Sequence, residues 1–241
     1  MFGLFNRKQT IGQTAFFAGN TDWHCHILPG VDDGIPTLDD SLEVLAHYEQ
    51  IGISRVWLTP HVMVDIPNTP AQLRQRYEEL CQAYSGSIEL HLAAEHMIDS
   101  LFDERLENGD VLPIGEHRNH LLVETSFFNP PYDLKGTLRR IQHAGYHPVL
   151  AHPERYLYLQ MSEYDDIKDM GVRFQVNLPS LAGLYGEPQR RRALHLLKKG
   201  YYDLWGSDLH RLGGFLKACS QKVFDSRTLA QLHFDYRFLN E

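Results

Sequence analysis

The sequence predicts an α/β fold, and within it a single closed or nearly closed (β/α) barrel, on three observations. Seven short apolar segments alternate with amphipathic helical segments, which is typical of βα units around a parallel sheet. The chain has 241 residues, enough for one sizeable core. No segment rich in Pro, Gly or Ser divides it. We therefore expect one barrel domain over residues 19–241, preceded by an N-terminal extension over residues 1–18.

The strand-like segments and the helices between them can be placed from their flanking residues. The predicted strands are 21–24, 54–59, 88–94, 120–124, 148–151, 173–177 and 203–206. A helix over 38–50 follows Thr37, a candidate N-cap, and a helix over 70–84 opens with Thr69 before Pro70. A third helix is predicted over 190–199.

Composition limits the partners and the location of the chain. The formal net charge of −8 argues against a nucleic acid or an anionic membrane recruited by bulk electrostatics. Cys25, Cys81 and Cys219 have no paired spacing, which favours reduced thiols and a cytoplasmic location. The sequence has no run of about 18 apolar residues and no secretory leader pattern, so membrane insertion is not expected. The extension over 1–18 is a candidate oligomer contact, and the oligomeric state stays open.

The first candidate for chemistry is a pair of histidines at the end of the first predicted strand. His24 and His26 are two positions apart, a spacing that places both imidazoles on one face of an extended strand. Two neutral imidazoles on one face suit a Zn, Mn or Fe ion. The alternative is a pair of surface or core histidines without a ligand.

The other strand ends carry the same kind of residue. Because the carboxyl ends of parallel strands meet at one rim of a barrel, we expect these side chains to lie together. Five histidines and three carboxylates exceed what one four-coordinate ion requires, so we expect two or three divalent ions, with Mn, Fe, Zn and Co all acceptable. The candidate ligands are His24, His26, His61, Glu95, Glu124, His152, Asp208 and His210. His96 is expected to face away from this site if its segment is extended.

Four separated motifs give the chain a resemblance to a known family. They are HCHILPGVDDG over 24–34, TPH over 59–61, AHPERY over 151–156 and SDLH over 207–210. From residue 20 to about 215 the chain resembles the polymerase and histidinol phosphatase (PHP) superfamily, and within it the manganese-dependent protein-tyrosine phosphatases found with capsule and exopolysaccharide genes. The resemblance implies a distorted (β/α)7 barrel, a trinuclear metal site formed by the eight candidate ligands, most naturally with Mn, and a phosphate-contacting role for Arg155.

Three further assignments concern residues beside these motifs. Members of this type often carry an additional arginine after the Asp-x-His motif; Arg211 is the only candidate here, in a different register, and is predicted to bind substrate. Asp33, or less readily Asp32, is predicted to act as an acid or to orient a neighbour, the alternative being a simple acidic turn. Tyr185 and Tyr132, on loops beside strand ends, are predicted to line the entrance.

The residues also constrain the reaction. Six positions after the three cysteines stand Val31, Ser87 and Asp225, so the Cys-x5-Arg motif of thiolate phosphatases is absent. Bound divalent ions instead lower the pKa of coordinated water towards neutrality, which favours metal-assisted phosphate ester hydrolysis.

Two functional hypotheses follow, and both are enzymatic. The first is a phosphatase that acts on the tyrosine-rich tail of a bacterial tyrosine kinase controlling polysaccharide synthesis. The second is a phosphatase of the same superfamily acting on histidinol phosphate or a sugar phosphate. A nuclease is disfavoured by the acidic charge, and a metal-stabilised binding module without catalysis is disfavoured by the complete ligand set and Arg155.

Overall fold

A computed structural model of the chain describes residues 8–240; residues 1–7 of the predicted extension and Glu241 lie outside the described residues. The described chain forms nine strands: β1 Thr21–Cys25, β2 Arg55–Leu58, β3 His61–Val62, β4 Glu89–Leu92, β5 Glu95–Met97, β6 His120–Glu124, β7 His147–Ala151, β8 Arg173–Asn177 and β9 Leu204–Gly206. The α-helices of the same residues are α1 Leu38–Ile51, α2 Pro70–Ala83, α3 Phe102–Glu107, α4 Leu134–His143, α5 Met161–Asp169, α6 Leu178–Ala182, α7 Glu187–Lys198, α8 Leu212–Cys219 and α9 Ser226–Ala230.

The named strands pair in parallel in two sheets that bring their carboxyl ends to one edge. One sheet has the order β1-β2-β4 and the other the order β3-β5-β6-β7-β8-β9. The first and last strands also meet, because Cys25 at the end of β1 forms a parallel bridge with Leu209, and the N–H of His26 donates to the Leu209 carbonyl at 3.0 Å. The predicted α/β fold with a parallel sheet is confirmed.

Two of the predicted strands are interrupted, and the interruptions place candidate ligands. The segment predicted over 54–59 ends as β2 and resumes as β3 after Pro60, which has no N–H to donate to a ladder. The segment predicted over 88–94 ends as β4 at Leu92, and β5 begins beyond the predicted bounds; between them the N–H of Ala94 donates to the Leu112 carbonyl at 3.0 Å. The resumed strands pair in register with His61 opposite Glu95, so the two candidate ligands lie side by side.

The predicted caps define the first two helices. The Thr37 hydroxyl accepts the N–H of Asp40 at 3.2 Å, and the Thr69 hydroxyl accepts the N–H of Gln72 at 3.3 Å in a reciprocal capping box. Helix α1 ends one residue later than predicted and α2 one residue earlier. Helix α7 begins at Glu187, three residues before its predicted start, because Pro188 suits a first helical turn.

The described part of the predicted extension packs against the rest of the molecule. Ile11 and Phe17 are buried, and the Phe17 ring lies 5.7 Å from that of Phe215. The Phe16 ring lies 5.0 Å from the ring of Trp205 on β9. The domain boundary at residue 18 stays a prediction. Within residues 8–240, none of the helices has the length and hydropathy that crossing a membrane requires.

Candidate metal centre and active site

The strand ends bring all eight predicted metal ligands into one cluster. They form four overlapping groups of three, and within each group one ligand atom per residue lies within 4.8 Å of the others. The groups are His26, His61, His210; His24, Glu95, His152; His24, His26, Asp208; and His61, Glu95, Glu124. His24, His26, His61 and Glu95 each belong to two groups, which places these four side chains at the centre of the cluster.

The Nε2 atoms of His24 and His26 face each other at the end of β1. The Nδ1 of His24 lies 2.9 Å from the Gln175 side-chain oxygen, and the Nδ1 of His26 lies 2.8 Å from a carboxylate oxygen of Asp32. When such a ring is neutral and its Nδ1 is the donor, its Nε2 is an acceptor. The two Nε2 atoms are 3.2 Å apart. Two acceptors at that distance require a cation or a proton between them.

A second set of atoms in the cluster has no hydrogen-bond partner. The Nδ1 of His61 lies 3.1 Å from Oε2 of Glu95 and 3.0 Å from Oε1 of Glu124. These three atoms are buried and none of them is in hydrogen-bonding geometry. Buried polar atoms that converge without hydrogen bonds are what a metal ion would satisfy. The residues present therefore fit a divalent metal cluster.

The electrostatics of the cluster also demand positive charge. Burial and the nearby His26 lower the pKa of His61, but the Glu124 and Glu95 carboxylates beside its Nδ1 outweigh them and raise it to about 10. Burial alone would raise the pKa of Glu95, yet the surrounding His24 and His152 hold it well below its usual range. Ionised carboxylates packed against imidazoles favour any cation that takes the place of the protons.

The backbone is strained at two of the candidate ligands. His152 has φ of 32° and Asp208 has φ of 49°, both in the left-handed region. The region is unfavourable for a residue with a Cβ atom, and such strain is found where the surrounding structure holds a residue for function. These two turns aim His152 and Asp208 into the cluster directly after β7 and β9.

Strand β8 supplies no candidate ligand but contacts three of them. The Gln175 side-chain oxygen accepts from the His152 backbone N–H at 3.2 Å as well as from His24. The Asn177 side-chain amide donates to Oδ2 of Asp208 at 2.6 Å. Outer groups of this kind fix the tautomer and direction of ligands. The sequence analysis missed both residues, although two amides at alternate positions of a buried strand are a signal that could have revealed them.

Arg155 lies at the side of the cluster in an open pocket of about 660 Å³. Its guanidinium carbon is 3.6 Å from the centre of the Phe127 ring and 4.3 Å from that of Tyr185. Its Nη1 is 3.2 Å from Oδ2 of Asp208. The two rings and the carboxylate fix the planar fork beside the candidate metal ligands, where it can bind phosphoryl oxygens.

Asp33 and Arg211 occupy the loop side of the same pocket. The Asp33 carboxylate is 3.4 Å from Nε2 of His210 and 3.6 Å from Nε2 of His61. A hydrogen bond with His210 and the charge of that imidazole lower the pKa of Asp33 to about 2. Arg211 donates to the backbone carbonyls of Asp33 and His210, each at 2.7 Å, and also to that of Gly34. Arg211 thus joins the Asp33 loop to the segment after β9.

The structure also shows where the other residues named from the sequence lie. Tyr185 lines the pocket, whereas Tyr132 is fully exposed and lines a separate cavity. His96 accepts the Leu112 N–H at 3.2 Å and belongs to none of the four groups found within residues 8–240. The Cys25 thiol is buried, and burial raises its pKa well above the ordinary range, so it is not a thiolate nucleophile.

Sequence comparison places the chain in a family. A family model described as capsular polysaccharide synthesis, CpsB/CapC, matches residues 20–223. The chain belongs to the CpsB/CapC family. The four motifs and the eight clustered side chains all fall within the matched residues.

Curated relatives of the CpsB/CapC type are named tyrosine-protein phosphatases. YwqE from Bacillus subtilis (strain 168) is 29% identical over 197 residues, covering 79% of this chain and 77% of YwqE. CpsB from Streptococcus pneumoniae is 27% identical over 204 residues, covering 79% of this chain and 83% of CpsB. The resemblance stated from the motifs is therefore confirmed.

Solved structures agree with the family assignment. A crystal structure from the pair YwqE of B. subtilis and CpsB of S. pneumoniae, described as unique metal-dependent tyrosine phosphatases, gives a TM-score of 0.76 at 26% identity. It covers 88% of this chain and 90% of that chain. Histidinol phosphate phosphatase from Lactococcus lactis gives a TM-score of 0.53 at 14% identity, covering 90% of this chain and 95% of that chain, and therefore shares the fold.

Gly206 at the end of β9 gives a direct test of how tightly the CpsB/CapC centre is packed. A Cβ atom on this residue would lie 2.5 Å from Cβ of His24 and 2.8 Å from Nε2 of Gln175. We expect Gly206→Ala to displace His24, reduce the bound divalent metal and destabilise the fold by roughly 1–3 kcal/mol. Metal analysis after gel filtration and thermal unfolding measure the two effects.

Gly213→Ala is the matched control, since no atom lies within 4 Å of a Cβ at that position on α8. It should retain wild-type metal content and unfold at the same or a higher temperature, because alanine favours a helix over glycine. Wild-type metal content in Gly206→Ala would contradict the tight contact between β9 and His24.

Proposed function

We propose that this protein is a metal-dependent protein-tyrosine phosphatase that hydrolyses phosphotyrosine. The observation that carries the proposal is the juxtaposition of eight clustered metal-ligand side chains with Arg155 at one open pocket. The comparisons support it, because curated relatives of this chain are named tyrosine-protein phosphatases.

The residues proposed to hold metal are the eight of the cluster: His24, His26, His61, Glu95, Glu124, His152, Asp208 and His210. Two or three divalent ions account for four overlapping groups in which His24, His26, His61 and Glu95 are each shared. We propose Mn as the natural metal, with Fe, Zn or Co as alternatives, because all of them accept imidazole and carboxylate. When bound, such ions supply a nucleophile near neutral pH by lowering the pKa of coordinated water.

The protein's own groups bind and orient the phosphoryl group. Arg155 offers a planar pair of N–H donors to two phosphoryl oxygens, and Phe127 and Tyr185 hold that plane in place. Asp33 is proposed to act as an ionised orienting group rather than as an acid, since its lowered pKa leaves no proton to donate near neutrality. A tyrosyl leaving group, whose pKa is near 10, needs less protonation than an alkyl alcohol.

The proposal extends to the protein substrate and to the cellular location. The protein substrate is proposed to be the tail of a bacterial tyrosine kinase that regulates capsule or exopolysaccharide synthesis, and the location to be cytoplasmic. Arg211 is proposed to support substrate binding by holding the Asp33 loop at the pocket. The fold is proposed to be one distorted (β/α)7 barrel over residues 19–241, with β2 and β3, and β4 and β5, counted as two interrupted strands.

The function is tested on one enzyme sample that is stripped by a chelator and then reloaded with Mn. A phosphotyrosyl peptide and histidinol phosphate are hydrolysed side by side. We expect turnover of both to vanish on stripping, to return with Mn, and to be faster for the peptide. Preference for histidinol phosphate would replace the substrate assignment, and turnover that survives stripping would remove the metal-dependent mechanism.

A further inference from the structure

The large apolar side chains that residues 8–240 leave exposed are six, five on loops after the carboxyl ends of strands and one on a helix. They are Val64 after β3, Leu101 after β5, Phe128 and Tyr132 after β6, Leu157 after β7 and Leu216 on α8 after β9. Phe128 is 88% exposed and Tyr132 fully so. An exposed apolar surface gathered on one face is typical of a binding site.

Five of these residues lie on successive loops that contact one another, and we call Val64, Leu101, Phe128, Tyr132 and Leu157 the apolar rim. The N–H of Val64 donates to the Asp99 carboxylate at 2.8 Å, which joins the loop after β3 to the loop after β5. The loop after β5 and the loop after β6 line a common cavity, with Ser100 and Phe102 on one side and Pro131 and Tyr132 on the other. The hydroxyls of Tyr158 and Thr125 lie 3.5 Å apart and join the loops after β6 and β7.

The apolar rim is continuous with the pocket that holds Arg155. Met63 and Phe127 line the pocket, and the next residue of each loop, Val64 and Phe128, is exposed on the rim. Met97 at the end of β5 also lines the pocket. Asp33, His210 and Arg211 also line the pocket, and Leu209 and Phe215 line it with them. The apolar rim thus begins directly beside the pocket, at Val64 and Phe128.

We propose that the apolar rim binds the residues that flank the phosphotyrosine of a protein substrate, and that it selects aliphatic or aromatic side chains there. The proposal rests on the proposed function. A phosphotyrosine that belongs to a polypeptide cannot reach the pocket without laying its neighbouring residues on the surrounding loops. The side chains that these loops expose are apolar, so burial favours apolar neighbours in the substrate.

The rim also separates two classes of substrate. A small aryl phosphate fills the pocket and does not extend to side chains that project from the loop tips, so it gains nothing from the apolar rim. A peptide with leucine or phenylalanine on either side of its phosphotyrosine gains contact area there. Discrimination should thus appear in the peptide reaction and be absent from the reaction of p-nitrophenyl phosphate.

The test compares Mn-loaded wild type with Phe128→Ser and Leu101→Ser. The substrates are p-nitrophenyl phosphate, a phosphotyrosyl peptide flanked by Leu and Phe, and the same peptide flanked by Gly and Ser. We expect wild type to prefer the apolar peptide over the polar one by roughly 10-fold in kcat/KM, through KM. In both variants this preference should fall to about 3-fold or less, because each serine removes apolar area that the peptide would otherwise bury.

Leu216→Ser is the matched control, because Leu216 is exposed after a strand but lies on α8, outside the apolar rim. It should keep the wild-type preference. Equal kcat/KM for the two peptides in wild type would overturn the rim proposal and leave the proposed function intact. Hydrolysis of p-nitrophenyl phosphate without hydrolysis of either peptide would overturn both. A wild-type oligomer that becomes a monomer in Phe128→Ser, measured by sedimentation, would also overturn the proposal, because the rim would then be an interface between copies.

Discussion

The Glu95→Gln variant is expected to lose bound divalent metal and at least about 100-fold in turnover of a phosphotyrosyl peptide, which corresponds to about 2.7 kcal/mol or more. Glu95 is fully buried, and its Oε2 lies 3.1 Å from both Nε2 of His24 and Nδ1 of His61. Its Oε1 lies 2.9 Å from Nε2 of His152. Glutamine keeps the size of the side chain but replaces an anionic oxygen by an N–H₂ donor, which cannot bind a metal.

Metal content by elemental analysis and initial rates at saturating Mn measure the two losses separately. Glu78→Gln on α2 makes the same chemical change at an exposed position and should behave as wild type. Wild-type metal content together with wild-type turnover in Glu95→Gln would show that the centre of the cluster lies elsewhere.

The Arg155→Lys variant should retain wild-type metal content and lose about 10- to 100-fold in kcat/KM for aryl phosphates. One hydrogen bond to a charged group contributes about 1.5–3 kcal/mol, and losing it accounts for this decrease. Lysine keeps the positive charge but has no planar fork and does not stack in the same way between Phe127 and Tyr185. The contact of Arg155 with Asp208 involves Oδ2, whereas Oδ1 faces His24 and His26, so metal binding should survive.

Separate kcat and KM values show whether the lost contact is made to bound substrate or only in the transition state. Arg139→Lys on the exposed side of α4 is the matched control and should leave both constants unchanged. An unchanged kcat/KM in Arg155→Lys would remove the phosphate-binding role from this residue.

Particular residues show how far sequence reasoning reached. His24 and His26 were predicted on one face at the end of a strand; β1 ends at Cys25 and His26 follows it, and the two Nε2 atoms nevertheless lie 3.2 Å apart. His61 and Glu95 were predicted just after strand ends, whereas they are the first residues of β3 and β5; their pairing was not foreseen, because it follows from the breaks after Leu58 and Leu92.

Residues that act through others were harder to find. Gln175 and Asn177 lie on the strand whose end carries no ligand, and their roles appear only when β8 stands beside β7 and β9. Their partners His24 and Asp208 are distant in sequence. Register between parallel strands fixes such contacts, and register depends on the packing of the whole sheet.

The sequence by itself determined the α/β fold, the order of the motifs and the identity of the eight clustered side chains. Each of these depends on local spacing and on the rule that parallel strands end at one rim. Only the tertiary structure decided that the Nε2 atoms of His24 and His26 face each other and that Phe127 and Tyr185 enclose Arg155. The same holds for the contacts that join the loops of the apolar rim beside the pocket. These are contacts between segments far apart in the chain, and the free energy of packing the whole core sets their geometry.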